Sequence, residues 1–176
     1  MRHIRWIVLV VFLIIVTLVA GSFLIRPSSE PSSNADKFGV CIHLSDFNAE
    51  TEAAMVDLGA KWVRIDWIIG EMGPFLDRMS NDGINVLAII DHNTMNHQAF
   101  TLEDWQANVL AIIASDEAKL VSAWEIWNEP NAQQFFFGYM DGTPEHYFDI
   151  LKVAYNVIKY SSSSSVVSAG LDPIDY

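Results

Sequence analysis

The sequence predicts an α/β fold with a parallel sheet, and three observations carry that prediction. Short β-rich apolar runs alternate with segments of helical spacing from residue 38 onward. Strands that alternate with helices form βαβ units. The β-rich runs are nearly continuous in apolar residues, the pattern of parallel strands buried on both faces. Several helical segments also carry start and stop signals where the pattern changes.

Residues 38–44 (Phe-Gly-Val-Cys-Ile-His-Leu) form the first strand. Residues 50–58 fit a helix, and Gly59 suits its C-terminal cap. Residues 62–67 (Trp-Val-Arg-Ile-Asp-Trp) are β-rich and make the second strand. Residues 74–82 hold a short helix followed by Gly83. The third strand is 84–91. Thr101 opens a capping box with Asp104, and the helix runs on to about Ser115. Residues 121–128 make the fourth strand. Thr143 and Pro144 supply an N-cap and a first-turn proline. The helix after them places Tyr147, Leu151, Ala154, Tyr155 and Ile158 at spacings of three and four. Ser161 to Ser165 is a polar loop, and 166–170 is a fifth strand.

No glycine-rich phosphate loop follows the first strand, which argues against a nucleotide-binding sheet. A (β/α)8 TIM barrel is the better candidate. Such barrels typically take about 250 residues. Five strands and four helices make this an incomplete barrel, the first five strands only.

The chain has 176 residues, 51% apolar and 18% charged, with a net charge of −12. That composition excludes a disordered chain and a nucleic-acid binder of the basic kind. Residues 6–25 contain 17 apolar side chains in 20 and no charge, long enough to span a bilayer of about 20 residues. Arg2 and Arg5 precede this run and favour a cytoplasmic N-terminus. The expected organisation is a cytoplasmic stub at 1–5, a transmembrane anchor or signal segment at 6–25, a Pro/Ser linker at 26–36 and the barrel domain at 37–176. The protein is then membrane-anchored and extracytoplasmic, or secreted if the segment is cleaved. The barrel domain carries 7 basic and 20 acidic residues, a surface that repels phosphate polymers. Cys41 is the one cysteine, and its apolar surroundings suggest a packed core thiol.

The strand ends carry the chemistry: His43, Trp67, Asp91, His92 and Trp127-Asn128-Glu129-Pro130. The C-terminal strand ends are the active face of a barrel. Pro130 cannot donate to a ladder and biases Glu129 away from helical geometry, so the strand stops there and Glu129 is displayed at the rim. Trp124 and Trp127 would shield Glu129, and desolvation raises a carboxyl pKa towards that of a usable general acid. Glu125 lies inside the strand and must be paired, with Arg64 as a candidate partner. Plainer readings stand beside these. Glu129 also fits a surface carboxylate, and His43 and His92 fit satisfied core histidines. Asp91 fits a strand-end residue bonding loop amides, and His97 fits a solvent-facing loop. Phe135, Phe136, Phe137 and Tyr139 fit either a sugar cleft or a helix cover. His43, Asp91, His92 and Glu129 could converge on a metal, but their spacing matches no dense ligand motif, and no metal is expected.

The stretch Ala123-Trp124-Glu125-Ile126-Trp127-Asn128-Glu129-Pro130-Asn131 resembles the fourth-strand signature of clan A glycoside hydrolases, most of all families 39 and 5. Lys61-Trp62-Val63-Arg64-Ile65-Asp66 resembles their second strand, and Gly142-Thr143-Pro144-Glu145-His146-Tyr147 the start of their fourth helix. The resemblance covers residues 37–176. It implies a retaining glycosidase on a carbohydrate substrate, with Glu129 as acid/base and Asn128 on the sugar 2-hydroxyl. Arg64 would hold the nucleophile carboxylate ionised, and His43, Trp67, His92 and Trp127 would line the subsite of the cleaved sugar. The chemistry needs no cofactor. The departure is the nucleophile, which sits on the seventh strand in that clan and has no counterpart among these five. The rival expectation is a catalytically inactive half-barrel that binds glycans or a partner.

Overall fold

The structure, a computed structural model, describes residues 34–96, 100–132 and 143–173. The chain divides into two units, Met1–Ser33 and Asn34–Tyr176, and every described residue belongs to the second. Five strands alternate with four helices. In chain order they are β1 (Gly39–Cys41), α1 (Ala49–Asp57), β2 (Trp62–Asp66), α2 (Gly73–Asp82), β3 (Asn85–Ile90), α3 (Leu102–Ile113), β4 (Ala123–Ile126), α4 (Pro144–Ser161) and β5 (Ser165–Ser168). All four strand pairings are parallel, and spatial order follows sequence order from β1 to β5. This is a partial parallel sheet with alternating helices, the arrangement of an incomplete α/β barrel.

Local chemistry sets the helix ends. The Asn48 side chain accepts from the Glu50 and Thr51 amides and starts α1. Both halves of the Thr101–Asp104 capping box form at α3. Thr143 caps α4 through the His146 amide, with Pro144 in the first turn. Gly83 closes α2 at φ 67°, a left-handed conformation that glycine adopts without steric cost.

The register assigns the two faces of the sheet. Val63, Ile65, Val86, Ala88, Ile90, Trp124 and Ile126 point one way, and all are buried in one core with Phe75, Met79, Trp105, Val109, Ile150, Ala154 and Ile158 of the helices. The other face carries Cys41, Trp62, Arg64, Asp66 and Leu87, each exposed or half-buried. Only towards β4 does this second face close, at Ile89, Ala123 and Glu125. The expectation of strands buried on both faces therefore holds at β4 and fails at β1 and β5, where no described layer covers the second face. Cys41 lies on that uncovered face and is exposed, not a core thiol as its apolar neighbours suggested. The first strand is correspondingly short. The chain leaves it at Cys41 and turns through a 3-10 segment at Leu44–Asp46.

The expected transmembrane helix is corrected. Among the described residues no helix is long and apolar enough to cross a membrane. The longest, α4, has 18 residues but includes Glu145, Asp149, Lys152 and Lys159, which are costly in hydrocarbon. Residues 6–25, where the anchor was expected, lie outside the described residues, as do 1–5 and most of the 26–36 linker. The fold is thus given as the partial barrel alone, and membrane partnership and a membrane-anchored location are not retained.

Asn48→Ala removes the acceptor for two amides at the start of α1. Urea denaturation should show a loss of about 1 kcal/mol, with Asn48→Asp close to the parent.

Candidate functional site

The chain leaves β4 through a strained turn. The Trp127 amide still donates to the Ile90 carbonyl at 2.8 Å, but Trp127 has φ 73° and Glu129 φ 48°. Such angles are rare without glycine, cost about 1–3 kcal/mol each and persist only where surroundings over-determine them. Here they divide the side chains. The Trp127 indole is fully buried, packed on Trp105 at 5.7 Å, His92 at 5.9 Å and Phe100 at 6.1 Å between ring centroids. Asn128 and Glu129 instead face an open cleft of about 480 Å³, lined also by Arg64, Glu125 and residues 167–171.

Arg64 reaches across from β2 to the centre of this cleft. Its Nε donates to Glu125 Oε2 at 2.7 Å and its Nη2 to Glu125 Oε1 at 2.9 Å. The same Nη2 donates to Asn128 Oδ1 at 2.8 Å, and Nη1 lies 3.6 Å from Cys41 Sγ. Glu125 is only 4% exposed. A bidentate guanidinium is the partner best suited to a carboxylate so far removed from water. The Gly170 amide adds a third donor to Glu125, at 3.2 Å. Hydrogen bonding to Glu125 holds the Arg64 guanidinium above its ordinary pKa, against the opposing effect of burial.

Tyr147 of α4 ties the two strand ends together. Its hydroxyl donates to the Ile126 carbonyl at 3.1 Å and accepts from the Ala169 amide at 2.7 Å. Burial pushes its pKa up, the Ala169 amide opposes this, and the charge of Glu125 adds to the rise. The Glu129 amide donates to the Gly170 carbonyl at 3.0 Å. Asn131 pairs with the Asp172 backbone through both ends of its amide, at 2.8 and 2.9 Å.

The structure brings Arg64, Asn128 and Glu129 together. It does not bring His43, Trp67, His92 or Trp127 to the same cleft. His43 is exposed, with Nδ1 3.4 Å from Asp66 Oδ2. Trp67 is buried against Trp124 at 5.1 Å, so both indoles belong to the core. His92 is buried, 3.6 Å from Asp91 Oδ2. Asp91 accepts from the Asn93 amide and side chain, the strand-end role expected of it. His97, Phe135, Phe136, Phe137 and Tyr139 lie outside the described residues. Among the described residues no group of three or more His, Cys, Asp or Glu side chains could hold a metal ion.

Sequence reasoning missed Tyr147, Gly170 and Asn131 as parts of this site. Tyr147 was legible only as an apolar helix position, although a phenol in a buried stripe needs a polar partner. Asn131 stood inside the Asn-Glu-Pro-Asn string without a role. Comparison with family models, curated proteins and solved structures finds no match.

Removing one member of the central pair leaves a buried charge. Arg64→Met should destabilise the fold by about 2–3 kcal/mol in chemical denaturation, below the ~3–5 kcal/mol of a fully buried pair because Arg64 keeps some water contact. Adding Glu125→Gln to that variant should restore part of the loss. Tyr147 gives a pH signature. Its folded pKa lies above its unfolded value near 10, so above about pH 10 the unfolded chain loses the proton first and stability falls as pH rises. Tyr147→Phe should flatten the alkaline limb of a melting-temperature profile.

Proposed function

We propose that this chain is a glycoside-hydrolase-like partial barrel that binds an uncharged glycan at the end of β4 and does not cleave it by itself. The state of the two carboxylates in the cleft carries this reading. Glycoside hydrolysis takes two carboxyl groups, about 5–5.5 Å apart for retention and ~6.5–9.5 Å for inversion. Glu125 is committed, with both oxygens on Arg64 and a third bond from the Gly170 amide. That leaves Glu129 as the one described cleft carboxylate placed to meet a ligand. A single carboxylate beside an amide side chain suits hydrogen bonding to sugar hydroxyls. Arg64 already spends four of its five donors on Glu125, Asn128 and Cys41, and its charge is met by Glu125, so an anionic sugar finds little to neutralise it. The net charge of −12 disfavours it further.

One observation supports a second reading, in which the same cleft is the acid/base half of a retaining glycosidase. Asn128 and Glu129 stand side by side at a barrel strand end, where the resemblance puts the sugar 2-hydroxyl ligand and the acid/base. The nucleophile would then come from outside the described residues.

Calorimetry with neutral oligosaccharides, together with turnover of aryl glycosides, separates the two. Binding without turnover, weaker for uronate oligomers and weakened several-fold by Glu129→Gln, is the expected result. No heat at millimolar sugar would sink glycan binding. Turnover that Glu129→Gln lowers by about 10²–10⁴-fold, the usual scale for a lost general acid, would replace the first reading with the second.

A further inference from the structure

The cleft has two walls that are far apart in sequence. One is the strained turn at 127–132, and the other is the segment after β5. Among the described residues beyond Ser168, 169–173, there is no regular structure, so no ladder fixes this wall. Four side-chain or backbone contacts do so instead. The Tyr147 hydroxyl takes the Ala169 amide, the Glu125 carboxylate takes the Gly170 amide, and the Glu129 amide reaches the Gly170 carbonyl. The fourth is Asn131. Its Nδ2 donates to the Asp172 carbonyl at 2.8 Å, and its Oδ1 accepts from the Asp172 amide at 2.9 Å, across 41 residues.

That last contact differs in kind from the others. A primary amide side chain offers a donor and an acceptor side by side, so it satisfies both backbone groups of Asp172 as a neighbouring strand would. It therefore extends the β4–β5 pairing past the point where the strands end. Asn131 sits two residues after Glu129, and the Ala132 amide closes back on the Glu129 carbonyl at 2.9 Å. A pull on Asn131 is thus felt at Glu129, whose φ of 48° needs external support.

We propose that Asn131 is a positioning residue whose side-chain amide zips the segment after β5 onto the Glu129 turn and so holds the walls of the binding cleft together. The proposal rests on the glycan-binding reading for its effect on affinity, but its structural half stands apart from it. Asp at this position keeps the acceptor for the Asp172 amide and loses the donor, so it retains half the zipper. Ala loses both halves.

Amide hydrogen exchange on the full chain tests the structural half, and calorimetry with a neutral oligosaccharide tests the functional half. In Asn131→Ala, exchange at Glu129, Gly170 and Asp172 should accelerate by about tenfold or more, while Val63 and Ile65 in β2 keep their protection. Asn131→Asp should fall between Ala and the parent. Oligosaccharide affinity should drop about tenfold in Asn131→Ala, with partial rescue in Asn131→Asp. Unchanged exchange at Glu129 in Asn131→Ala overturns the proposal, and so does faster exchange with full affinity. If Ala prevents folding, Asn131→Asp alone decides, since an unchanged Glu129 rate there removes the donor half of the zipper. If the parent protein binds no sugar, the glycan reading fails while the exchange data still settle the zipper.

Discussion

A buried carboxylate has to find a cation, and most of the site follows from how Glu125 meets that demand. It points to the second face of the sheet at the strand where that face is closed to water. The cation that meets it comes from two strands away, with Arg64 extending past β3 to reach it. Once there, a planar guanidinium with five donors cannot serve one carboxylate alone. Its remaining edge orders Asn128, and its outer nitrogen lies by the Cys41 thiol. Glu125 in turn has a lone pair left for the Gly170 amide. A charge pair that neutralises one strand therefore also positions the exit of β4 and the exit of β5.

The second constraint is the turn itself. In an ordinary strand, residues 127 and 129 would share a face, as period two requires. The positive φ values at Trp127 and Glu129 break that rule. They let the indole enter the core between Trp105, His92 and Phe100 while the next two side chains face the cleft. The buried aromatic cluster anchors the turn from below, and the Arg64 network holds it from above. Strain at the site is offset by hydrophobic burial on one side and charge-assisted hydrogen bonds on the other.

Much of this fold is written locally. Thr101 with Asp104, Thr143 with Pro144, and Gly83 are signals contained within four residues, and each marks a real helix end. The pairing demand of Glu125 was also readable, because a charge inside an apolar strand has few options. Other features escaped for physical reasons. The direction of Trp127 depends on a left-handed backbone that no glycine advertises. Cys41 reads as core from its neighbours, but alternate strand residues belong to different environments when one face is uncovered. The partner of Asn131 is 41 residues away, and nothing in the chain between them points to it. The apolar run and most of the Pro/Ser-rich stretch after it fall outside the described residues; only Asn34–Lys37, a 3-10 turn, is described.

The order of the strands has a consequence for how the molecule comes apart. Among the described residues each strand pairs only with its sequence neighbours, so the sheet resembles a one-dimensional array in which each βα unit leans on the next. Such arrays open most easily at strands held on one side, and among the described residues β1 and β5 are each paired on one side only. The cleft bridges β4 and β5, so it spans a pair in which one described member is held from one side only, while the Trp105 and Trp127 cluster lies in the core. A ligand seated there would clamp β5 onto β4. It would slow the peeling of β5 and leave the interior units much as they were, so that occupancy registers as a change in where the array begins to open.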